Sequence, residues 1–174
     1  MRLGLLLTLL CAPALAQVPQ NEPAKGASQS PGSPEVLRLK SLLQQTGLKT
    51  VALDEEGLSY GIPFEPKKAK NQKVWLVSVQ YANPASKKFI LVYAVMFKLP
   101  EKGDVPRRLL WSAMDYNSRI PGSKLAYNKD NRSLDVQFEI PAEFVTPELL
   151  AWAINDVAAT CDDNYERFTE LLGD

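Results

Sequence analysis

The sequence predicts an α+β fold in which three helices pack on a five-stranded antiparallel sheet, in the order α-β-β-β-α-β-β-α. Two long segments in the middle of the chain, residues 73–81 and 88–99, alternate their side chains as strands do. Leucines at helical spacing come before these segments, and a long helical stripe of apolar residues runs almost to the C-terminus. We therefore expect an antiparallel sheet with its helices packed against it.

The first helix should begin at Ser33-Pro34, where a hydroxyl N-cap is followed by proline at the first helical position. Apolar side chains then recur at helical spacing up to Gly47, which is a typical helix stop. A first strand is predicted within residues 57–65. Gly61 and Pro63 indicate that this strand lies at an edge or carries a bulge.

The next two strands form a predicted hairpin around the turn residues Asn83-Pro84-Ala85-Ser86. Both strands are apolar on nearly both faces, which is typical of central strands that helices cover. The second helix is predicted from Val105 to about Ser118, with Asp104 as its cap. Along one side of this helix lie Leu110, Ala113, Met114 and Asn117.

A second hairpin follows, with strands at residues 125–128 and 134–140. Asp135, Gln137 and Glu139 alternate with apolar residues in the latter strand and predict one solvated face. Thr146-Pro147 repeats the cap signal of the first helix and should start the last helix.

The last helix carries one narrow apolar stripe, and Cys161 lies in its middle. The stripe consists of Leu150, Ile154, Val157, Cys161, Tyr165, Phe168 and Leu172. We therefore interpret Cys161 as a buried packing residue and not as a reactive thiol. Asp162, Asp163 and Glu166 fall on the opposite half, where a solvated face is favoured over a metal site or a pair of catalytic carboxylates.

The chain begins with the pattern of a secretory signal peptide at residues 1–16: a basic residue, a short apolar run, and Ala14-Leu15-Ala16 at the cleavage site. The apolar run is too short to span a bilayer, so we expect a periplasmic or secreted protein without a transmembrane segment. A lipid attached at Cys11 is the less favoured alternative, because the residue before that cysteine is Leu10 and not a small residue.

Residues 17–33 are rich in Pro, Gln and Ser and predict a flexible leader, which leaves one domain at residues 34–174. The 174 residues contain 20 basic and 20 acidic side chains, and this balance favours neither nucleic acid nor an anionic membrane surface as a partner. The chain has no histidine, which excludes Ser-His-Asp and Cys-His catalysis and nearly all zinc-hydrolase ligand sets. We predict no enzyme activity, no metal and no cofactor.

Four aromatic residues are the candidate contact residues. Trp152 falls on the polar half of the last helix, where it either covers another element or binds a partner. Alternatively, Trp75, Tyr93 and Tyr165 would line a ligand cleft between sheet and helices.

The C-terminal half resembles the YbjN family. The resemblance is carried by residues 110–117 (LWSAMDYN), 124–141 (KLAYNKDNRSLDVQFEIP) and 146–168 (TPELLAWAINDVAATCDDNYERF). The matching positions are Asn117, Ile140-Pro141, Thr146, Glu148-Leu149 and Cys161-Asp162. The resemblance implies a fold like that of type III secretion chaperones, which are often dimeric, and it brings no catalytic residues. A signal peptide would distinguish this chain from cytosolic members of the family.

Two functions follow as hypotheses. The first is a non-enzymatic, exported module of chaperone-like or regulatory type that binds another protein, alone or as a homodimer. The second is a binder of a small ligand or lipid that uses the cleft between sheet and helices. Binding of a partner through Trp152 would support the first, and occupation of the cleft would support the second.

Overall fold

The computed structural model describes residues 33–55, 57–69, 74–82 and 88–172. The predicted signal peptide, nearly all of the predicted leader and the predicted turn at residues 83–86 lie outside these ranges. The elements in chain order are α1 (Pro34–Gln45), β1 (Val51–Ala52), β2 (Ser59–Phe64), β3 (Trp75–Ala82), β4 (Phe89–Lys98), α2 (Arg107–Arg119), β5 (Lys124–Asn128), β6 (Ser133–Pro141) and α3 (Pro147–Glu170).

The sheet has six strands in the order β1-β2-β3-β4-β6-β5, and every neighbouring pair is antiparallel. The prediction of five strands was therefore wrong by one. The additional strand, β1, has only two residues and is too short to show an alternating pattern. β1 is held in place by pairing with β2. The Leu53 N–H extends this pairing because it donates a hydrogen bond to the Ser59 carbonyl at 2.9 Å.

One face of the sheet, the covered face, packs against α3 and α1. The long helix α3 crosses β3, β4 and β6, and α1 lies beside it. The register aligns Val79 with Val92 and Val92 with Phe138, so alternate side chains of neighbouring strands share this face. Its buried side chains are Tyr60, Ile62, Trp75, Val77, Val79, Ile90, Val92, Ala94, Val136 and Ile140.

The opposite face, the open face, keeps large apolar side chains in contact with solvent. Leu76 of β3 is 46% exposed, and Val95 of β4 and Val74 are also exposed. The apolar pattern predicted that helices cover these central strands, and among the described residues they do so on one face of the sheet. The helices α1 and α3 occupy one side, and α2 packs beside β5.

Both proline-flanked helix starts are confirmed. The Ser33 hydroxyl accepts a hydrogen bond from the Val36 N–H at 3.3 Å, and the Thr146 hydroxyl accepts one from the Leu149 N–H at 3.2 Å. Gly47, just after α1, has φ +71°, which glycine adopts without strain.

The second helix starts later than predicted, at Arg107, and its N-cap is Pro106 instead of Asp104. The reason is that a residue before proline is driven out of the helical region, so Val105 cannot start the helix. Leu109 and Ala113 of this helix are buried, whereas Met114 is exposed.

Asn117 of α2 joins this helix to the free edge of β5. Its side-chain amide donates to the Leu125 carbonyl at 2.9 Å, and its amide oxygen accepts from the Leu125 N–H at 2.8 Å. The carboxamide thus forms the hydrogen bonds that a further strand would form. This arrangement protects an edge that could otherwise pair with another chain.

Replacing Asn117 by Ala should expose this edge. We expect a loss of about 1–3 kcal/mol in the free energy of unfolding, because two backbone groups lose their partners. Amide hydrogen exchange should become faster at Leu125. Asn131→Ala in the exposed β5–β6 turn is the control and should change neither value. Unchanged protection at Leu125 in Asn117→Ala would contradict the assigned role.

Candidate functional site

The apolar stripe of α3 is confirmed as the part of the helix that meets the sheet. Leu150, Ile154, Val157 and Phe168 are buried, and Cys161 has no exposed surface. Burial raises the pKa of the Cys161 thiol strongly, and the carboxylates of Asp135 and Asp162 raise it further. The thiol therefore stays protonated at neutral pH and is unsuited to act as a nucleophile.

Asp162 does not face solvent, so that prediction was wrong. Its carboxylate accepts hydrogen bonds from the backbone N–H groups of Lys67, Lys68 and Ala69, at distances of 2.8–3.1 Å. The side chain fixes the segment after β2 to α3 and is only 6% exposed. Helical periodicity could not reveal this role because the donors lie more than 90 positions away in the sequence.

The pKa of Asp162 reflects two opposing effects. Burial raises it, whereas the hydrogen bonds from Ala69, Lys68 and Lys67 lower it and prevail, so the pKa lies below its ordinary value. The carboxylate is therefore ionised in the folded protein at neutral pH. Its role is to satisfy buried backbone donors.

The two other acidic residues of this helix segment lie at the surface, as predicted. Asp163 and Glu166 are exposed, and Asp163 forms an ion pair with Lys68 at 2.7 Å. Within the described ranges, no three His, Cys, Asp or Glu side chains are arranged to hold a metal ion. None of the helices in those ranges is long and apolar enough to cross a membrane.

A second aspartate of α3 also binds a loop. Asp156 accepts hydrogen bonds from the Ser123 N–H at 2.8 Å and from the Ser123 hydroxyl at 2.5 Å. Gly122 has φ +96°, and a Cβ at this position would lie 2.8 Å from an Asp156 carboxylate oxygen. Glycine is thus required both by the backbone angle and by the close approach of the helix side chain.

The predicted solvated face of β6 is only partly correct. Asp135 is buried, and its carboxylate accepts from the Ser133 hydroxyl at 2.6 Å and from the Asn128 side-chain amide at 3.3 Å. Glu139 is exposed, as predicted. The alternating pattern identified the strand but could not show that polar neighbours enclose Asp135.

Trp152 covers another element and also remains accessible to a partner, which were the two alternatives predicted for it. Its ring contacts Phe138 of β6 edge to face, with centroids 5.2 Å apart. Half of the side chain, 50%, remains exposed. Trp152 therefore covers part of the sheet and also presents an aromatic surface to solvent, as contact residues in protein interfaces often do.

The three residues proposed for a ligand cleft do not line one cleft between sheet and helices. Trp75 on the covered face contacts Tyr165 of α3 edge to face, with centroids 5.4 Å apart. Tyr93 lies on the open face, because it pairs with Ser78 and neighbours the covered Val92 and Ala94. The observed geometry does not support the cleft of the small-ligand hypothesis.

Trp75 and Tyr93 instead line a groove of about 390 Å³, the β3–β4 groove, at the end of the sheet where β3 begins. A β-bulge in β4 between Val95 and Phe97 shapes it by placing Val95 on the open face and Phe97 against Tyr165. This bulge also breaks the strict alternation predicted for the strand. The described lining residues are Val74, Trp75, Leu76, Ser78, Tyr93, Val95, Met96, Phe97 and Lys98.

Trp75 has an unusual environment within this groove. The side chain is only 4% exposed, and its indole nitrogen has no hydrogen-bond partner among the described residues. An unsatisfied buried donor costs roughly 1–3 kcal/mol.

A larger cavity of about 670 Å³ lies at the opposite end of the sheet, near the start of α1. Its lining includes Arg38, Glu35, Lys88 and Glu143, and Lys88 donates to Glu35 at 2.8 Å. The cationic and acidic side chains occur in equal numbers, and one pair is already bonded. The cavity is larger than the β3–β4 groove, and none of its described lining residues has an unpaired buried polar side-chain atom.

These features define an α+β domain with one covered and one open sheet face. Its fold is similar to that of one chain in the structure of the HopA1–SchA chaperone–effector complex, with 15% identity, coverage of 78% of this chain and 99% of that chain, and a TM-score of 0.53. A chain of the ExoU–SpcU heterodimer from the type III secretion system of Pseudomonas aeruginosa aligns over 76% of this chain and 96% of that chain, with 15% identity and a TM-score of 0.43.

A scan against protein-family models gives no match, and a sequence comparison with curated proteins gives none either. The structural likeness therefore shows the fold alone, an α+β domain like that of one chain of the HopA1–SchA chaperone–effector complex. Membership of the YbjN family stays a prediction.

Proposed function

We propose that this chain is an exported, non-enzymatic module that binds another protein, alone or as a homodimer. The observation that carries the proposal is the open face, where large apolar side chains of β3 and β4 are left uncovered. Contiguous exposed apolar surface is typical of sites that bind other proteins. The similar fold in the HopA1–SchA structure belongs to a chaperone–effector complex, which is itself an assembly of proteins.

Trp152 is the second site proposed to contact a partner, in addition to the open face. It is half exposed and is held in place by Phe138, so its ring is presented in a fixed orientation. Tryptophan contributes disproportionately to binding in protein interfaces. The open face and Trp152 lie on opposite sides of the sheet, so a partner could be bound from either side or from both.

Site-specific photo-cross-linking in cells of the source organism tests the proposal. A photoreactive amino acid replaces Leu76 on the open face or Trp152 on α3, and Lys129 in the exposed hairpin turn serves as control. We expect discrete polypeptide adducts from at least one of the first two positions and none from Lys129. Adducts at all three positions in equal yield, or none at any, would contradict a specific protein-binding role.

Export is proposed on the pattern at residues 1–16. Intact mass spectrometry of the protein recovered from the cell envelope or medium should give a chain that begins at Gln17. A chain that retains Met1, or one that begins at a lipidated Cys11, would contradict this cleavage.

A further inference from the structure

We propose that the surface around Trp152 binds a basic side chain, Lys or Arg, carried by a segment of a partner polypeptide. This inference rests on the proposed protein-binding function and names the chemistry of the partner at one of its two sites. We call this surface the Trp152 site, and its members are Glu148, Trp152 and Asp156 of α3 and Phe138 and Glu139 of β6.

Two carboxylates flank Trp152 on the outer side of α3. Glu148 precedes it by four residues and Asp156 follows it by four, so each lies about one helical turn away, at roughly 5–6 Å between Cβ atoms. Glu148 is exposed. Both hydrogen bonds from Ser123 go to the Oδ2 atom of Asp156, and no described donor binds its Oδ1 atom. A cation beside the Trp152 ring therefore has a carboxylate on either side.

The exposed carboxylates of the site have no ionic partner in the described part of the chain. Hydrogen bonds from the Glu148 backbone N–H and from the Thr146 side chain lower the pKa of Glu148 below its ordinary value, so this group is ionised at neutral pH. Among the described residues, neither Glu148 nor Glu139 takes part in an ion pair. A partner that brings a cation supplies the missing opposite charge.

The cations nearest in the fold are engaged or distant. Lys124 lines the same cleft as Glu139, but its ammonium group donates to the Ile120 carbonyl at 2.5 Å and is thus held at the end of α2. The only cationic residue of α3, Arg167, lies about four turns beyond Trp152. The surface around Trp152 is therefore acidic without a basic side chain of its own.

The ring of Trp152 supplies the second element of cation recognition. Phe138 contacts it edge to face and fixes its orientation, while half of the side chain stays exposed. The face of a tryptophan ring attracts Lys and Arg more strongly than other aromatic rings do, within about 6 Å of its centroid. A purely apolar side chain would gain from the ring but would leave the acids unpaired, so the combination favours a cation.

The backbone of β6 beside the ring is open on one side. β5 pairs with β6 only as far as Gln137, whereas β4 pairs with it as far as Pro141. The Ala142 N–H donates to the Lys88 carbonyl on the β4 side, so the alternation of an antiparallel ladder directs the backbone groups of Glu139 away from β4. The N–H and C=O of Glu139 therefore face the side that β5 leaves open.

A cleft of about 350 Å³ lies at this open edge. An extended segment can form backbone hydrogen bonds with Glu139 there, while its basic side chain approaches Trp152 over the neighbouring Phe138. A free amine would use the ring and the acids but not the strand edge. The described lining residues of the cleft are Gly122, Lys124, Gln137, Phe138 and Glu139.

Charge argues against a second copy of this chain with its own Trp152 site as the occupant. A two-fold interface centred here would bring the same surface of each copy together. Every charged member of the surface is acidic, so any charged pair that forms across the axis is repulsive, whichever residues meet. A segment with its own Lys or Arg avoids this repulsion.

The test uses a library of random linear peptides selected on the full-length protein. We expect the selected peptides to carry Lys or Arg. Glu148→Lys should weaken binding of a selected synthetic peptide about tenfold, and the same peptide with its basic residue changed to Glu should recover affinity for this variant. Trp152→Leu keeps an apolar cover over Phe138 but removes the aromatic ring, and should weaken binding about fivefold.

Two control variants separate this site from charge in general and from the open face. Glu166→Lys makes the same charge reversal at an exposed residue of α3, about four turns beyond Trp152, and should bind like the wild type. Leu76→Glu changes the open face and should also leave this peptide bound. Urea unfolding shows which variants keep the fold. If Glu148→Lys does not fold, Glu148→Gln provides the test, with binding weakened about threefold.

The contrary outcomes are distinct. Selected peptides without basic residues, or equal losses in Glu148→Lys and Glu166→Lys, would overturn the Trp152 site. Peptide binding lost in Leu76→Glu but kept in Glu148→Lys would also overturn it and would leave the protein-binding function intact. A dimer of the free protein that Trp152→Leu converts to a monomer would assign the site to a second copy. Lysinamide that binds as tightly as the peptide would assign it to a small amine. Failure of both peptide selection and photo-cross-linking would reject the protein-binding function itself.

Discussion

Replacing Asp162 by Ala is expected to lower the free energy of unfolding by about 3–5 kcal/mol. The carboxylate receives the N–H groups of Lys67, Lys68 and Ala69, and it is largely buried. Removal of the carboxylate leaves those three N–H donors without an acceptor. Because the site is largely buried, water is a poor replacement for the carboxylate. Urea unfolding followed by circular dichroism measures the change.

Asp163→Ala is the matched control for this experiment, since it removes a carboxylate from the next position of the same helix. Asp163 is exposed and forms only an ion pair with Lys68. Such pairs contribute about 1 kcal/mol or less. Equal losses in the two variants would contradict the loop-binding role assigned to Asp162.

The same carboxylate makes stability depend on pH in the acid range. The folded-state pKa of Asp162 is lowered, so its stabilising contribution is complete above the unfolded pKa of about 3.9 and is lost as the pH falls through the folded pKa. Asp162→Asn should therefore show a shallower loss of stability below about pH 4 than the wild type. If the free energy of unfolding falls equally below about pH 4 in Asp162→Asn and in the wild type, that result would contradict the lowered pKa of Asp162.

Replacing Cys161 by Asp should prevent folding or reduce stability by about 4 kcal/mol or more, because a charge would be buried without a partner. Cys161 has no exposed surface, and the nearby carboxylates of Asp135 and Asp162 would repel the new one. Thermal unfolding measures the difference.

Cys161→Ala is the control and should cost only about 1 kcal/mol, as expected for the loss of one buried heavy atom. Comparison of the two variants distinguishes a packing role of Cys161 from a chemical role of its thiol. If Cys161→Ala folds normally but abolishes partner binding, the thiol has a functional role that the packing interpretation does not explain.

Much of the fold could be predicted because the relevant signals are local. Ser33-Pro34 and Thr146-Pro147 carry complete helix-start signals, and the stripe through Cys161 follows from helical geometry. α2 starts later than predicted because Pro106 drives Val105 out of the helical region.

The features that could not be predicted depend on contacts between distant parts of the chain. Asp162 looks like its exposed neighbour Asp163 in the sequence, and only the approach of Lys67–Ala69 distinguishes the two. β1 owes its existence to pairing with β2. The open face could not be predicted from the sequence. An apolar strand face indicates that the face can be buried, but it does not show whether another element of this chain buries it.

The proposed function depends most on the difference between the two faces of the sheet. Its most direct test is the rate of thiol modification in a Cys11→Ser background, with and without Leu76→Cys, followed by intact mass spectrometry of the folded protein. We expect the thiol introduced by Leu76→Cys to react at the rate of an exposed cysteine, while Cys161 stays unmodified until the protein is unfolded. Rapid labelling of Cys161, or protection of the thiol at position 76 in the free protein, would contradict the assignment of a covered and an open face.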